Sequence, residues 1–331
     1  MFKPLAALAT ALTFLAAAPA TAACTGQNLI AALPEADRAA IAAAAAAHPF
    51  AQGNFWRATR GDRVVHLVGT YHMDDPRHDA LLRDLTPLVM GATRLLVEAG
   101  PEEEAALMAH MARDPALMLA PQGPTLAEAL PEAEWQRLAD ALRDRGIPPF
   151  MGSRFRPWYV SVLLAVPPCA LAQAADKNGL DARLITTAQV AGVPVLALEP
   201  YDTALRVFDL VPQDAQLDMI RSALALEDRA EDQLATLADA YFAEDSRLIW
   251  EFLRFTALSL PGATPEKVAA EFAQMDGALM VSRNRAWIPV IEQAAQSGPV
   301  VAAFGALHLS GEDGVLALLS RAGWTVDRLS F

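Results

Sequence analysis

The chain has 331 residues, 53% of them hydrophobic and 20% charged, with a formal net charge of -13. That balance describes a folded globular chain, not a disordered one. The acidity leaves no electrostatic footprint for nucleic acid and argues against adsorption to anionic lipid.

Residues 1–23 read as a secretory signal. Lys3 supplies a short positive region, residues 5–18 are apolar, and Ala20-Thr21-Ala22 and Thr21-Ala22-Ala23 offer small residues for cleavage. The expectation is an exported protein, periplasmic or secreted, whose mature part is a single domain over residues 24–331. Cys24 follows the cleavage region, but Thr21 stands where a lipobox prefers an aliphatic residue, which disfavours a lipoprotein. The only other cysteine is Cys169, so export predicts a Cys24–Cys169 disulfide, with two unpaired thiols as the alternative. No later stretch is long and uncharged enough for a transmembrane helix; the apolar residues 158–172 contain Pro167 and Pro168 and read as buried core.

Residues 28–48 have a helical pattern, with Pro34-Glu35-Ala36-Asp37 as its start. Residues 54–59 and 63–70 are extended runs joined at a Gly61-Asp62 turn. Residues 76–90 carry helical periodicity, with Pro76 suited to a first turn. Residues 93–97 are a short buried strand. Residues 102–166 are helical, broken by Pro115, Pro121, Pro124, Pro131 and Pro148-Pro149. A helix over 180–191 ends near Gly192, and 194–198 is another apolar strand. Residues 202–298 read as helical, with breaks near Pro212 and Pro261-Gly262. A strand over 300–304, a helix over 311–322 stopped by Gly323 and a strand over 324–328 complete the chain. The expected fold class is α/β (α+β): a mixed central sheet formed by the N- and C-terminal parts, with a large helical insertion. Two segments echo each other, VHLVGTYHMDDPRHDALL and VAAFGALHLSGEDGVLALL, each reading strand, Gly-x-x-His, acidic turn, helix. The echo places two histidines in equivalent local settings.

Open α/β sheets bind ligands beyond the carboxyl ends of their strands. Four polar residues stand at such ends: His72, Glu98, Glu199 and His308. A lone glutamate there commonly salt-bridges or caps a helix, and a lone histidine is commonly structural. Two of each together make a ligand set for a divalent metal, or a general acid/base set. Gly69 and Gly305 suit a sharp turn and close approach of a ligand. Arg283 and Asn284 fall on the apolar helical stripe of Leu279, Met280, Ala286, Trp287, Val290 and Ile291. An arginine there is either a clamp for a substrate carboxylate or carbonyl, or a buried partner of Glu98 or Glu199. His48, His78 and His110 read as solvated and His66 as a core residue. Asp74 and Asp75 read as helix caps before Pro76, and Asp181 as a cap after Gly179.

Together these motifs resemble the TraB/GumN family, related to the Tiki proteases of animals. The resemblance rests on Gly69-Thr70-Tyr71-His72 with Asp75-Pro76-Arg77, on Leu96-Val97-Glu98, and on Arg283-Asn284 followed by Gly305-Ala306-Leu307-His308. Gly179-Leu180-Asp181 followed by Leu198-Glu199 also fits. It spans roughly residues 54–329 and implies a fold similar to erythromycin esterases. It also implies a divalent-metal-dependent hydrolase, a peptidase in the Tiki relatives, using the paired histidines and a glutamate.

The resulting expectation is a hydrolase holding a divalent ion (Zn, Mn or Co) with His72, His308, Glu98 and Glu199. Glu98 would serve as ligand or general base, and Arg283 and Asn284 would steady the developing oxyanion. The alternatives are a metal-free esterase-like hydrolase using a histidine as base, and a binding or regulatory protein that recognises a peptide or small molecule without turnover. The chain has neither an H-E-x-x-H helix nor a G-x-S-x-G elbow, which excludes ordinary zincins and serine hydrolases. Oligomeric state is not legible.

Overall fold

The computed structural model describes residues 24–209, 211–260 and 262–330; the signal-like segment 1–23 and Pro261 lie outside them. Among the described residues six strands form one sheet: β1 Phe55–Arg60, β2 Arg63–Thr70, β3 Arg94–Val97, β4 Val195–Ala197, β5 Val300–Gly305 and β6 Thr325–Arg328. Their order is β4-β3-β5-β2-β1-β6. β1 is antiparallel to β2 and to β6, whereas β2, β5, β3 and β4 run parallel. The β1–β2 hairpin turns at Gly61, whose φ of 60° costs a glycine little. The mixed sheet shared by the two ends of the chain is as expected.

The parallel strands are apolar throughout because both faces are covered. Along β5, Val300, Ala302 and Phe304 face one side and Val301 and Ala303 the other. On the first side the helix Ser282–Ala294 buries Trp287 and Ile291, and the helix Val315–Arg321 buries Leu316 and Leu319. On the second, the helix His78–Met90 contributes Leu85 and Val89, and the helix Leu180–Ala191 contributes Leu180 and Leu184. Each such fully buried side chain stabilises the fold by about 1.5–3 kcal/mol.

The helical insertion has its own core around Leu138, Leu142, Val160 and Ile220. The apolar residues 158–172 are split where the helix Pro157–Leu164 ends before Pro167, and Trp158, Val160, Leu164 and Ala170 are buried. No single helix among the described residues is long and apolar enough to cross a membrane. Cys24 and Cys169 form the expected disulfide. The N-terminal segment then docks on the helix Ala230–Phe242, Leu29 N–H donating to Thr236 Oγ1 at 2.7 Å.

Three local expectations differ. The two Gly-x-x-His segments are offset: Gly69 lies inside β2 opposite Phe304, so Thr70, not Gly69, pairs with Gly305. In the second copy the strand stops at Gly305, and Ala306–His308 form a 3-10 turn. The last helix starts at Val315, not 311, because Gly311 takes a φ of 98° that ends any helical run. The stretch 202–298 also breaks at Glu244, with φ 57°, and contains a π-helical segment, Gly277–Val281.

Candidate functional site

The carboxyl ends of β2, β5, β3 and β4 share one edge of the sheet, and the four polar residues follow them there. His72 leaves β2 against the start of the helix Leu180–Ala191. Leu180 N–H donates to Tyr71 O at 3.0 Å. A Cβ on Gly179 would lie 2.3 Å from His72 O, so only glycine lets that helix end come so close. The contact brings Asp181 Oδ1 within 3.2 Å of His72 Nδ1. This is an ion-pair distance without the alignment of a straight hydrogen bond, and that oxygen has no hydrogen-bond partner. Asp181, with Glu98 beyond it, holds the His72 pKa above the ordinary imidazole value. The His72 side chain is 62% exposed, so it is the open member of the site.

His308 is its opposite, with a side chain 4% exposed and a ring 4.4 Å from that of Trp287. Its Nδ1 lies 2.6 Å from Asn284 Oδ1, which can only accept, so Nδ1 carries the proton. Nε2 is left with its lone pair, which accepts from Arg283 Nη1 at 3.3 Å. Burial pushes the His308 pKa down to about 4, so the ring is neutral at pH 7.

Glu98 Oε1 accepts from Gly305 N–H at 2.6 Å and lies 3.9 Å from His308 Nε2. Its Oε2 accepts from Arg283 Nη2 at 2.6 Å. Burial opposes its charge, but His308, Arg283, His72 and the Gly305 N–H outweigh burial and hold its pKa at about 2. Glu199 is bound in a fork, Arg283 Nη2 to Oε1 at 2.7 Å and Nε to Oε2 at 2.8 Å, with Trp287 Nε1 on Oε2 at 3.0 Å. Of the two readings of Arg283, pairing with carboxylates is the one observed, and it takes both. Asn284 uses both ends of its amide inside the protein, since Nδ2 donates to Asp313 O at 2.9 Å. Its contacts orient His308.

Gly305 is the common floor. A Cβ placed there would stand 3.2 Å from Glu98 Oε1, 3.5 Å from His72 Nε2 and 3.7 Å from His308 Cδ2. His308 is hydrogen-bonded through Nδ1 and His72 has an ion-pair contact at Nδ1, and His72 Nε2 and Glu98 Oε1 meet over a residue without a side chain. The local charge count is three carboxylates (Glu98, Glu199, Asp181) against one guanidinium (Arg283). With His72 protonated and His308 neutral, one negative charge remains, and a second appears when His72 gives up its proton.

The sequence profile of the TraB/PrgY/gumN family matches residues 54–328. The chain belongs to this family. A search of curated proteins gives no match. The family region runs from the first strand to the last and includes every site residue named above.

Within it, the structure brings His72, Glu98, Gly305 and His308 together, with Arg283, Glu199 and Asn284 directly behind. Gly69 belongs to the packing: a Cβ there would lie 2.7 Å from Leu309 Cδ1. Cys24 and Cys169 lie outside the site, in the disulfide. Sequence reasoning missed two residues. Asp181, read as a cap, contacts His72; its signal was the Gly179-Leu180-Asp181 motif. Trp287, read as core, also donates to Glu199. His78 is a correction: it is 0% exposed, its Nε2 lies 3.0 Å from Met73 O, and it packs by Tyr71, Tyr241 and Phe242. As the first residue of its helix it faces Tyr71 and the end of the helix Ala230–Phe242, not water. His48 is also paired, lying 3.3 Å from Glu251.

Proposed function

We propose that the chain is an exported hydrolase that uses a divalent ion, of which Zn, Mn and Co are the candidates, to cleave a peptide or similar carbonyl substrate. The observation that carries this reading is the pair of imidazoles each met by an oxygen at Nδ1, with His72 Nε2, Glu98 Oε1 and the His308 ring gathered around Gly305. Metal-binding histidines are held in this way, by a carboxylate or amide on the other ring nitrogen. The donor set fits in kind, and the excess of carboxylates over cations suits a dication. Glu199 does not belong to the set, because Arg283 and Trp287 occupy both its oxygens.

The fit requires a small contraction. Among the described residues, no three of these groups bring one donor atom each within 4.8 Å of one another. Arg283 Nη1 also sits on the His308 lone pair. His72, on the exposed side, is the donor free to close, and its raised pKa means that it gives up a proton on binding metal.

When bound, a divalent ion supplies a Lewis acid for the scissile carbonyl and acidifies water. Glu98, ionised and 20% exposed, stands beside the attacking position to accept a hydrogen bond from the nucleophile. Arg283 helps keep Glu98 ionised, pairs with Glu199 and adds fixed positive charge next to the developing oxyanion. Asn284 fixes the His308 tautomer. The signal-like residues 1–23 and the disulfide support an oxidising, exported location.

A second reading has its own observation. His308 is already neutral with a fixed Nδ1 proton and a lone pair on Nε2 that accepts only from Arg283 Nη1, as a metal-free general base requires. Metal content separates the two. Residues 24–331, produced in an oxidising compartment without a metal-binding tag, are offered Mn, Co and Zn and analysed by mass spectrometry. Near-stoichiometric metal, lost in His72→Ala and His308→Ala, is the expected result. Folded protein that retains none of the three metals overturns the metal reading.

A further inference from the structure

Behind Asn284, on the side away from His308, lies a cavity of about 140 Å³. That is close to the ~150 Å³ that accommodates a benzene-sized molecule. Trp250, Met280 and Leu307 give it apolar walls, and Ser310, Asp276 and Asp313 give it polar ones.

The polar groups are unevenly satisfied. Ser310 is 9% exposed, and its Oγ is sealed from solvent without a hydrogen-bond partner. Asp276 is half-buried and has no ion pair or hydrogen bond with any described residue. Burial, reinforced by the nearby Asp313, pushes its pKa upward in spite of the opposing charge of Arg247. Asp313 meets Arg285 at 3.0 Å and Arg321 at 3.5 Å through one oxygen, Oδ1. Arg247, the cation on the wall, is committed to Glu251 and His48. The cavity thus offers acceptors without a free cationic partner.

We propose that this cavity binds a protonated alkylamine. An alkylammonium has three N–H donors, one each for Asp276, Asp313 and Ser310 Oγ. Its methylenes would lie on Met280 and Leu307, and Trp250 would add a ring face for the charge. Arg247 on the wall is already paired with Glu251, and the three lining carboxylates Asp276, Glu312 and Asp313 disfavour an anion. The amine is either a free small molecule or the side chain of a peptidyl lysine. Because Asn284 lines the cavity and holds His308, the bound amine touches the residue that orients that imidazole. The proposal is independent of whether the site at Gly305 is hydrolytic.

The test titrates the chain over residues 24–331 at pH 7 with 1-aminobutane, with 1-butanol as the uncharged control, and with Nα-acetyl-lysine methylamide, reading saturation by calorimetry. An amine should bind and butanol should not. Asp276→Asn should weaken amine binding about tenfold, as expected for a lost charge-assisted hydrogen bond. Ser310→Ala, which removes one unpartnered hydroxyl, should weaken it about threefold and keeps the test valid if the Asp276 variant fails to fold. Tighter binding of the lysine derivative identifies a peptide side chain as the occupant; tighter binding of 1-aminobutane identifies a free amine. Amines that bind no better than butanol, or bind both variants as tightly as wild type, overturn the proposal.

Discussion

Asn284 Oδ1 accepts the Nδ1 proton of His308 at 2.6 Å, and this bond fixes which nitrogen of the buried ring faces Gly305. Replacing Asn284 with Ala removes the anchor while leaving the imidazole in place. Under the metal reading, affinity falls about 10–100-fold, as for other lost partners of metal-bound histidines. Competition with a chelator measures it, and wild-type affinity in the variant would remove Asn284 from the site.

Arg283 bonds to two carboxylates, so its loss leaves both without their cation. Arg283→Met should destabilise the fold by about 3–5 kcal/mol in urea unfolding. Arg283→Lys should recover only part, since an ammonium cannot reproduce the fork to Glu199. Adding Glu199→Gln to Arg283→Met should restore some of the loss.

The two glycines of the repeated motif should behave differently. Gly69→Ala drives a Cβ to 2.7 Å from Leu309 Cδ1 and 2.9 Å from Ala306 Cα, an overpacking that costs about 1–3 kcal/mol. Gly305→Ala meets nothing closer than 3.2 Å and should melt near wild type while losing bound metal and activity. The reverse pattern would reverse the roles assigned here.

Acid stability should depend on Glu251. This carboxylate, 3% exposed, is held by Arg247 and Arg254, which outweigh burial and lower its pKa. Burial and Arg247 also lower the pKa of His48 beside it. Both folded values lie below the unfolded ones, so both groups stabilise the fold at neutral pH. The His48 part begins to fade below its ordinary value of 6.5, and the Glu251 part below 4.5, each disappearing as pH falls through the folded value. The melting temperature should fall from pH 7 to 4, and His48→Gln should flatten the first part of that decline.

The Cys24–Cys169 bridge spans 145 residues. Chain-entropy arguments allow such a loop up to about 5 kcal/mol. Cys24→Ser/Cys169→Ser should lower the unfolding free energy by about 3–5 kcal/mol without displacing the site, as checked by denaturant unfolding beside metal content.

Much of the site was legible because parallel strands announce their ends. An apolar run that stops at His72, Glu98, Glu199 or His308 marks both the strand and the edge where it emerges. Partner choice was not legible. Glu199 and Arg283 are 84 residues apart, and only the fold determines that both glutamates meet one guanidinium. The offset between Gly69 and Gly305 was hidden because a one-residue shift in strand register leaves the motif unchanged. His78 looked solvated because polar neighbours surround it in sequence, whereas the helix phase turns it inward. The π segment Gly277–Val281 has no strong local signature, yet it precedes Ser282, Arg283 and Asn284 directly.

The strand β5 lies between β2 and β3, and it supplies both the floor of the site and His308. A growing chain therefore holds β1–β2 and β3–β4 as two separate pairs until β5 exists. Any product that ends before residue 300 exposes the inner edges of β2 and β3, which makes it a target for proteases and for aggregation. Only a chain that includes β5 can join β2 to β3, and only that joined sheet places His308 opposite His72.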